Sequence, residues 1–199
     1  MSNNNLAEDV YLKMVCDFLR DNNKWYLKRF GYAACELWLC SEICNILNFD
    51  HDLSFNNTEE DKIFFNEDKK RDLTVYESSS DKILSHIEVK LLYPAYTRSK
   101  RRKKMYELEK NLSRDIAKPG DSGWIFMIWT SANHKHYIDR NIFFDESISD
   151  ITEYINKSHM PYVVSQLDVI NVFDDEFDWR KGKKRLTVKA IAINHVVEK

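Results

Sequence analysis

Apolar positions recur at two different periods along this chain, and each change of period marks an element. Over residues 6–20, Leu6, Val10, Met14 (with Val15), Phe18 and Leu19 fall at helical spacing. The pattern predicts an amphipathic helix over 6–21, ended by Asn22-Asn23. Gly31 to Asn48 predicts a second helix that is far more apolar. Strands follow the polar stretch 50–60: a short one near Ile63-Phe65, then Asp72-Tyr76, then Ile83-Leu92, which Pro94 stops. Ser99 to Ala117 carries Met105, Leu108, Leu112 and Ile116 at helical spacing and ends at Pro119-Gly120. Gly123 to Thr130 is an unbroken apolar run, the pattern of a central strand covered on both faces. Ile148, Ile151 and Ile155 mark a short helix. Val163–Phe173 and Leu186–Ile193 supply the last strands. The expected fold is α/β (α+β), a mixed central sheet of about five strands flanked by helices.

The 199 residues suit a single domain over 1–199. Its core is expected over 31–131, with helix 6–21 and region 145–199 as additions. With four glycines and three prolines, long flexible linkers are not expected. The formal net charge of −2 excludes a general basic coat, yet charge is clustered. One basic run is Arg98, Lys100, Arg101, Arg102, Lys103 and Lys104. Another, Arg180 to Arg185, reads as a turn between strands. Cys16, Cys35, Cys40 and Cys44 lie in apolar helical segments without zinc-ligand spacing, and read as buried thiols of a reducing compartment. No signal-peptide pattern or apolar run of membrane-spanning length is present. A cytoplasmic protein with no membrane partner is expected.

Chemistry concentrates in the two central strands. Side chains alternate faces along a strand, so Glu88 and Lys90 point away from Ile87, Val89 and Leu91. Pairing the strands symmetrically about Ser80 sets Asp72 opposite Glu88, with Cα atoms about 4.5–5.5 Å apart. Facing carboxylates repel unless a cation sits between them or one is protonated. Mg²⁺ suits such a site, since it takes oxygen ligands and is commonly held by one or two carboxylates plus phosphate. The peptide carbonyl of Val89 is a further candidate ligand. Lys90 is placed to orient a water or to stabilise charge growing on a phosphate. Glu-Val-Lys alone is a common tripeptide of outward-facing strands. The aspartate strand, the hairpin length and the apolar opposite face are what single this one out.

On a helical wheel of about 100° per residue, Cys40, Ile43, Cys44 and Leu47 gather around Glu36. Ser41, Asn45 and Asn48 lie on the far side. Glu36 therefore points into the apolar face, toward the sheet, where a metal, a lysine such as Lys90 or ordered water would satisfy it; the plainer alternative is a buried glutamate paired with an arginine or a backbone amide. Glu42 lies on a mixed face and reads as a solvated charge. After Lys90, Tyr96 and the run Arg98 to Lys104 open the next helix. Isolated, such a run is a solvated helix start. Cations at a helix N-terminus oppose its dipole, and a phosphate partner explains them. His86 shares the face of Glu88. His134 and His136 read as a strand-end loop, and Asp174 to Asp178 as an acidic surface loop. No phosphate-binding glycine loop or nucleophile elbow is present.

A helix with Glu36, a strand with Asp72, a strand with Glu88-Val89-Lys90, a helix, then a buried strand: this order resembles the PD-(D/E)XK nuclease superfamily, the restriction-endonuclease-like fold, over residues 31–131. Asp72 resembles its first metal ligand, Glu88 its second acidic ligand and Lys90 its catalytic lysine. Glu36 resembles the helix glutamate of many members, while Arg71 stands where the motif has proline. The resemblance implies Mg²⁺-dependent (or Mn²⁺-dependent) hydrolysis of DNA phosphodiester bonds by a restriction or phage-defence endonuclease. It also implies a homodimer with one site per strand. Competing readings are a structure-selective nuclease such as a junction resolvase, and a non-catalytic nucleic-acid-binding or protein-interaction domain of the same fold.

Overall fold

The computed structural model describes residues 7–32, 36–49, 62–67, 72–80, 82–92, 103, 123–131, 144–150, 153, 162–164, 169–179 and 182–195. Three helices, α1 (Ala7–Asp21), α2 (Asn23–Tyr32) and α3 (Glu36–Phe49), precede the strands β1 (Lys62–Asn66), β2 (Leu73–Glu77), β3 (Ile83–Leu92), β4 (Gly123–Thr130), β5 (Tyr162–Val164), β6 (Ile170–Trp179) and β7 (Gly182–His195). The strands form one mixed sheet in the order β1-β2-β3-β4-β7, and β5 and β6 both pair with β7. Only β3 and β4 run parallel among the described pairs. The helix expected over 99–117 lies outside the described residues except for Lys103, which is helical and exposed.

The N-terminal region holds three helices where the apolar pattern suggested two. Asn22 makes the break. Its backbone N–H and side-chain amide both donate to the Phe18 carbonyl, closing α1, while its own carbonyl accepts from Trp25 and Tyr26 and opens α2. Gly31 is therefore near the end of α2 rather than the start of α3. The buried stripe of α1 is Leu12, Val15, Cys16 and Leu19, rotated from the expected one. Val10, Met14 and Phe18 lie on its rim, and Phe18 meets Tyr26 edge to face.

All three helices lie on one face of the sheet, α3 against β1 and β3, α1 and α2 against β6 and β7. There Leu73, Val75, Ile87, Val89, Leu91, Trp124, Phe126, Ile128, Val188 and Ala190 join the helices in one core. The opposite face buries Ile125, Met127, Trp129 and Ile193. Helical residues 144–150 contribute Ser147, which accepts the Trp129 indole N–H at 2.9 Å. Helices thus cover both faces, as expected, and every residue of β4 is buried.

The sheet has seven strands where about five were expected. The apolar stretch 163–173 is divided between β5 and β6. The acidic run Asp174 to Asp178, read as a loop, is strand. It is stable there because the second basic run is its partner. Asp174, Glu176 and Asp178 stand opposite Thr187, Arg185 and Lys183. Arg185 grips Asp174 with two hydrogen bonds of 2.6 and 2.8 Å, and Lys183 lies 3.9 Å from Glu176. Opposite charges across a strand pair stabilise it modestly. Lys183 and Arg185 thus belong to a charge ladder and not to the turn expected of them.

Ser41 and Asn48, on the side of α3 away from Glu36, reach the outer strand β1. The Asn48 side-chain amide accepts the Phe64 N–H at 3.0 Å and donates to the Phe64 carbonyl at 2.7 Å. Asn66 donates to Ser41 Oγ at 2.9 Å. Asn48→Ala should cost about 1 kcal/mol, read as a lower midpoint in urea with an unchanged slope. Glu42 is not simply solvated either, since the buried Tyr26 hydroxyl donates to it.

Candidate active site

The β2–β3 hairpin has the register that symmetry about Ser80 requires: Leu73 faces Ile87, Thr74 faces His86 and Val75 faces Ser85. A bulge after Val75 shifts only the turn end of the pairing. Asp72 continues this register opposite Glu88, one residue beyond the end of β2. Its carbonyl accepts the Glu67 N–H at 3.0 Å, which closes the β1–β2 connection and fixes the Asp72 backbone.

From Glu88 onward β3 runs past β2, so its odd-numbered peptide groups on that side lose their strand partner. An unpaired buried N–H is costly. Two carboxylates take over. Asp72 Oδ2 accepts the Val89 N–H at 2.8 Å, and Glu36 Oε2 accepts the Leu91 N–H at 3.1 Å. Both side chains are thereby anchored by the backbone that carries Lys90. The contribution of Leu91 is through its backbone and leaves no trace in residue type.

Lys90 Nζ sits among three carboxylates: 3.2 Å from Glu36 Oε1, 3.3 Å from Asp72 Oδ2 and 3.5 Å from Glu88 Oε2. The side chains are part-exposed, at 24% for Lys90, 27% for Asp72, 15% for Glu88 and 40% for Glu36. Glu36 is thus at a rim and not deep in the apolar face, and two of the partners expected for it, a lysine and a backbone amide, are present. Burial pulls the Lys90 ammonium down, but Asp72, Glu36 and Glu88 outweigh it and hold it above the usual lysine value. Lys90 is protonated at neutral pH. Beside the cluster, burial, reinforced by the fields of Asp72 and Glu36, pushes the Cys40 thiol up and leaves it unreactive.

The sequence therefore identified four side chains that the fold brings together: Glu36, Asp72, Glu88 and Lys90. His86 is not one of them; it is 5% exposed, with Nδ1 3.3 Å from Thr74 Oγ1 across the strand pair. Tyr96, Arg98, Lys100, Arg101, Arg102 and Lys104 lie outside the described residues, as do His134 and His136. Among the described residues, no three His, Cys, Asp or Glu side chains are grouped as a metal centre; the cation between the carboxylates is Lys90 itself. No described helix is long and apolar enough to cross a membrane.

Removing that cation has a defined consequence. Lys90→Met leaves three carboxylates around an apolar tip, at a cost of about 1 kcal/mol once solvent screening at this part-exposed site is allowed for. Because the folded Lys90 value is raised, its contribution is complete below the ordinary lysine value of about 10.4 and fades only as pH climbs through the higher folded one. The stability gap between wild type and Lys90→Met should thus be flat from about pH 6 to about pH 9. Mg²⁺ should raise the melting temperature of Lys90→Met more than that of wild type. No shift with Mg²⁺ in either protein would contradict a cation site here.

Comparison of the chain with protein-family models, with curated proteins and with solved structures returned no match.

Proposed function

We propose that this protein is a divalent-metal-dependent DNA nuclease whose active site is the notch formed by Asp72, Glu88, Lys90 and Glu36. The observation that supports it is the convergence of three carboxylates on one ammonium where β3 outruns β2. The donor set suits Mg²⁺ or Mn²⁺, being all oxygen. Asp72 would contribute its carboxylate, of which Oδ1 takes no hydrogen bond among the described residues. Glu88 would supply a second carboxylate. The Val89 carbonyl would supply a third oxygen, since it lies on the same side of the strand as the Val89 N–H that Asp72 accepts. When bound, the ion supplies charge that polarises a phosphate and makes water more acidic.

The chain's own residues divide the remaining tasks. Lys90, protonated, donates to a phosphate oxygen and stabilises the charge that builds there. Its raised value makes it a donor in this state and not a base. Glu36 touches no reacting atom in this scheme: one oxygen holds the Lys90 ammonium and the other holds the Leu91 N–H, so it positions Lys90. Within the reading, a restriction or phage-defence endonuclease acting as a homodimer is the form we favour.

The test is incubation of the full chain with supercoiled plasmid in Mg²⁺, in Mn²⁺ and in EDTA. Nicked and linear DNA should appear only with the metals. Preference for branched DNA without sequence preference would favour a junction resolvase. Salt-dependent binding with no cleavage in either metal would favour a non-catalytic domain.

A further inference from the structure

We infer that α2 carries a second nucleic-acid contact, built from Trp25 and Arg29, that receives the strand beside the notch; this rests on the nucleic-acid reading above. Helix α2 packs through Tyr26, Leu27, Phe30 and Gly31. Trp25 is not needed for that packing and is 58% exposed. The Arg29 guanidinium lies 4.7 Å from the centre of the Trp25 ring and 5.9 Å from that of Trp38. Lys24 and Lys28 are exposed one turn apart on the same helix, which contains no acidic residue. Like charges at that spacing destabilise an isolated helix. They favour a polyanion.

An open indole capped by a guanidinium and edged with lysines has the chemistry that holds a nucleic-acid strand. Bases stack on indole or guanidinium planes, and cations meet the phosphates. Tryptophan and arginine also anchor protein interfaces, but a helix with three cations and no acid favours nucleic acid over a protein partner.

The patch borders α3, the helix that carries Glu36 of the notch. Trp38 is two residues beyond Glu36 on α3, so the two side chains leave opposite flanks of the helix's first turn. Leu37, 59% exposed, lies on the ridge between them. A helix is about 10 Å across, which corresponds to about three base steps of about 3.4 Å. One strand can cross Leu37 and touch both places.

The experiment measures binding apart from cleavage. A fluorescein-labelled single strand of about 20 nucleotides is titrated with full-length protein in EDTA and followed by anisotropy. Trp25→Ala should weaken binding about fivefold to 150-fold, the effect of one lost stacking contact. Trp25→Phe, which keeps a ring, should lose less. Arg29→Gln should lower the slope of log K against log salt by about one. Unchanged affinity and slope in Trp25→Ala and Arg29→Gln, or no DNA binding by wild type, would overturn the inference. Weakened binding by these variants, from a wild type that cleaves no plasmid in Mg²⁺ or Mn²⁺, would support this contact while removing the hydrolysis reading. Plasmid cleavage with unchanged binding by both variants would do the reverse.

Discussion

Lys90→Ala should lower Mg²⁺-dependent plasmid cleavage by about 10²–10⁴-fold, the range for losing one positioned charge or donor at a reacting centre. The loss should fall on turnover, because in this reading the ammonium meets a phosphate oxygen most strongly when charge has built up on it. Asp72→Ala should be at least as damaging. It removes a proposed ligand and also strips the Val89 N–H of its acceptor. Glu36→Gln should be milder, since an amide oxygen can still accept the Leu91 N–H, but its hold on Lys90 is weaker. Initial rates of plasmid nicking check the series. Cleavage by Lys90→Ala or Asp72→Ala at the wild-type rate would place the active site elsewhere.

Gly31→Leu should destabilise the protein by about 3 kcal/mol, at the upper end of the usual cost of overpacking. Even a Cβ at this position would lie 2.8 Å from Phe177 Cε2 and closer still to Cζ. Phe177 is 6% exposed and sits in β6 against α2, so it has no room to withdraw. Gly31→Ala should show the same sign with a smaller effect, because alanine favours a helix over glycine by about 1 kcal/mol. For a chain of this size the leucine variant should melt about 6–12 °C lower. Phe177→Leu in the same chain should recover part of the loss, so that the double variant is more stable than the sum of its single changes predicts. Strict additivity would mean that the ring is not what excludes a side chain here.

The parts of the fold read correctly from sequence were those set by short-range geometry. A period of two fixes which side of a strand each residue occupies, so Glu88 and Lys90 could be placed together. Symmetry about Ser80 gave the register found for Leu73, Thr74 and Val75. The parts that escaped depend on partners distant in sequence or on backbone atoms. Asp174 to Asp178 looks like a loop until Lys183 and Arg185 stand opposite it. Asn22 divides two helices by hydrogen bonds from both its side chain and its backbone, which apolar spacing does not register. Glu36 was placed on the correct flank of its helix, but its second anchor is the Leu91 N–H, a group every residue but proline possesses.

Asn48 bears on how two copies of this chain could associate. A strand at the margin of a sheet offers unpaired peptide groups to any passing strand. At Phe64 those groups are already spoken for by an amide from α3. A second molecule cannot prolong the sheet across β1 without first evicting that side chain. At this margin two copies would have to meet through side chains, and the chain is guarded there against the open-ended strand stacking that leads to fibres.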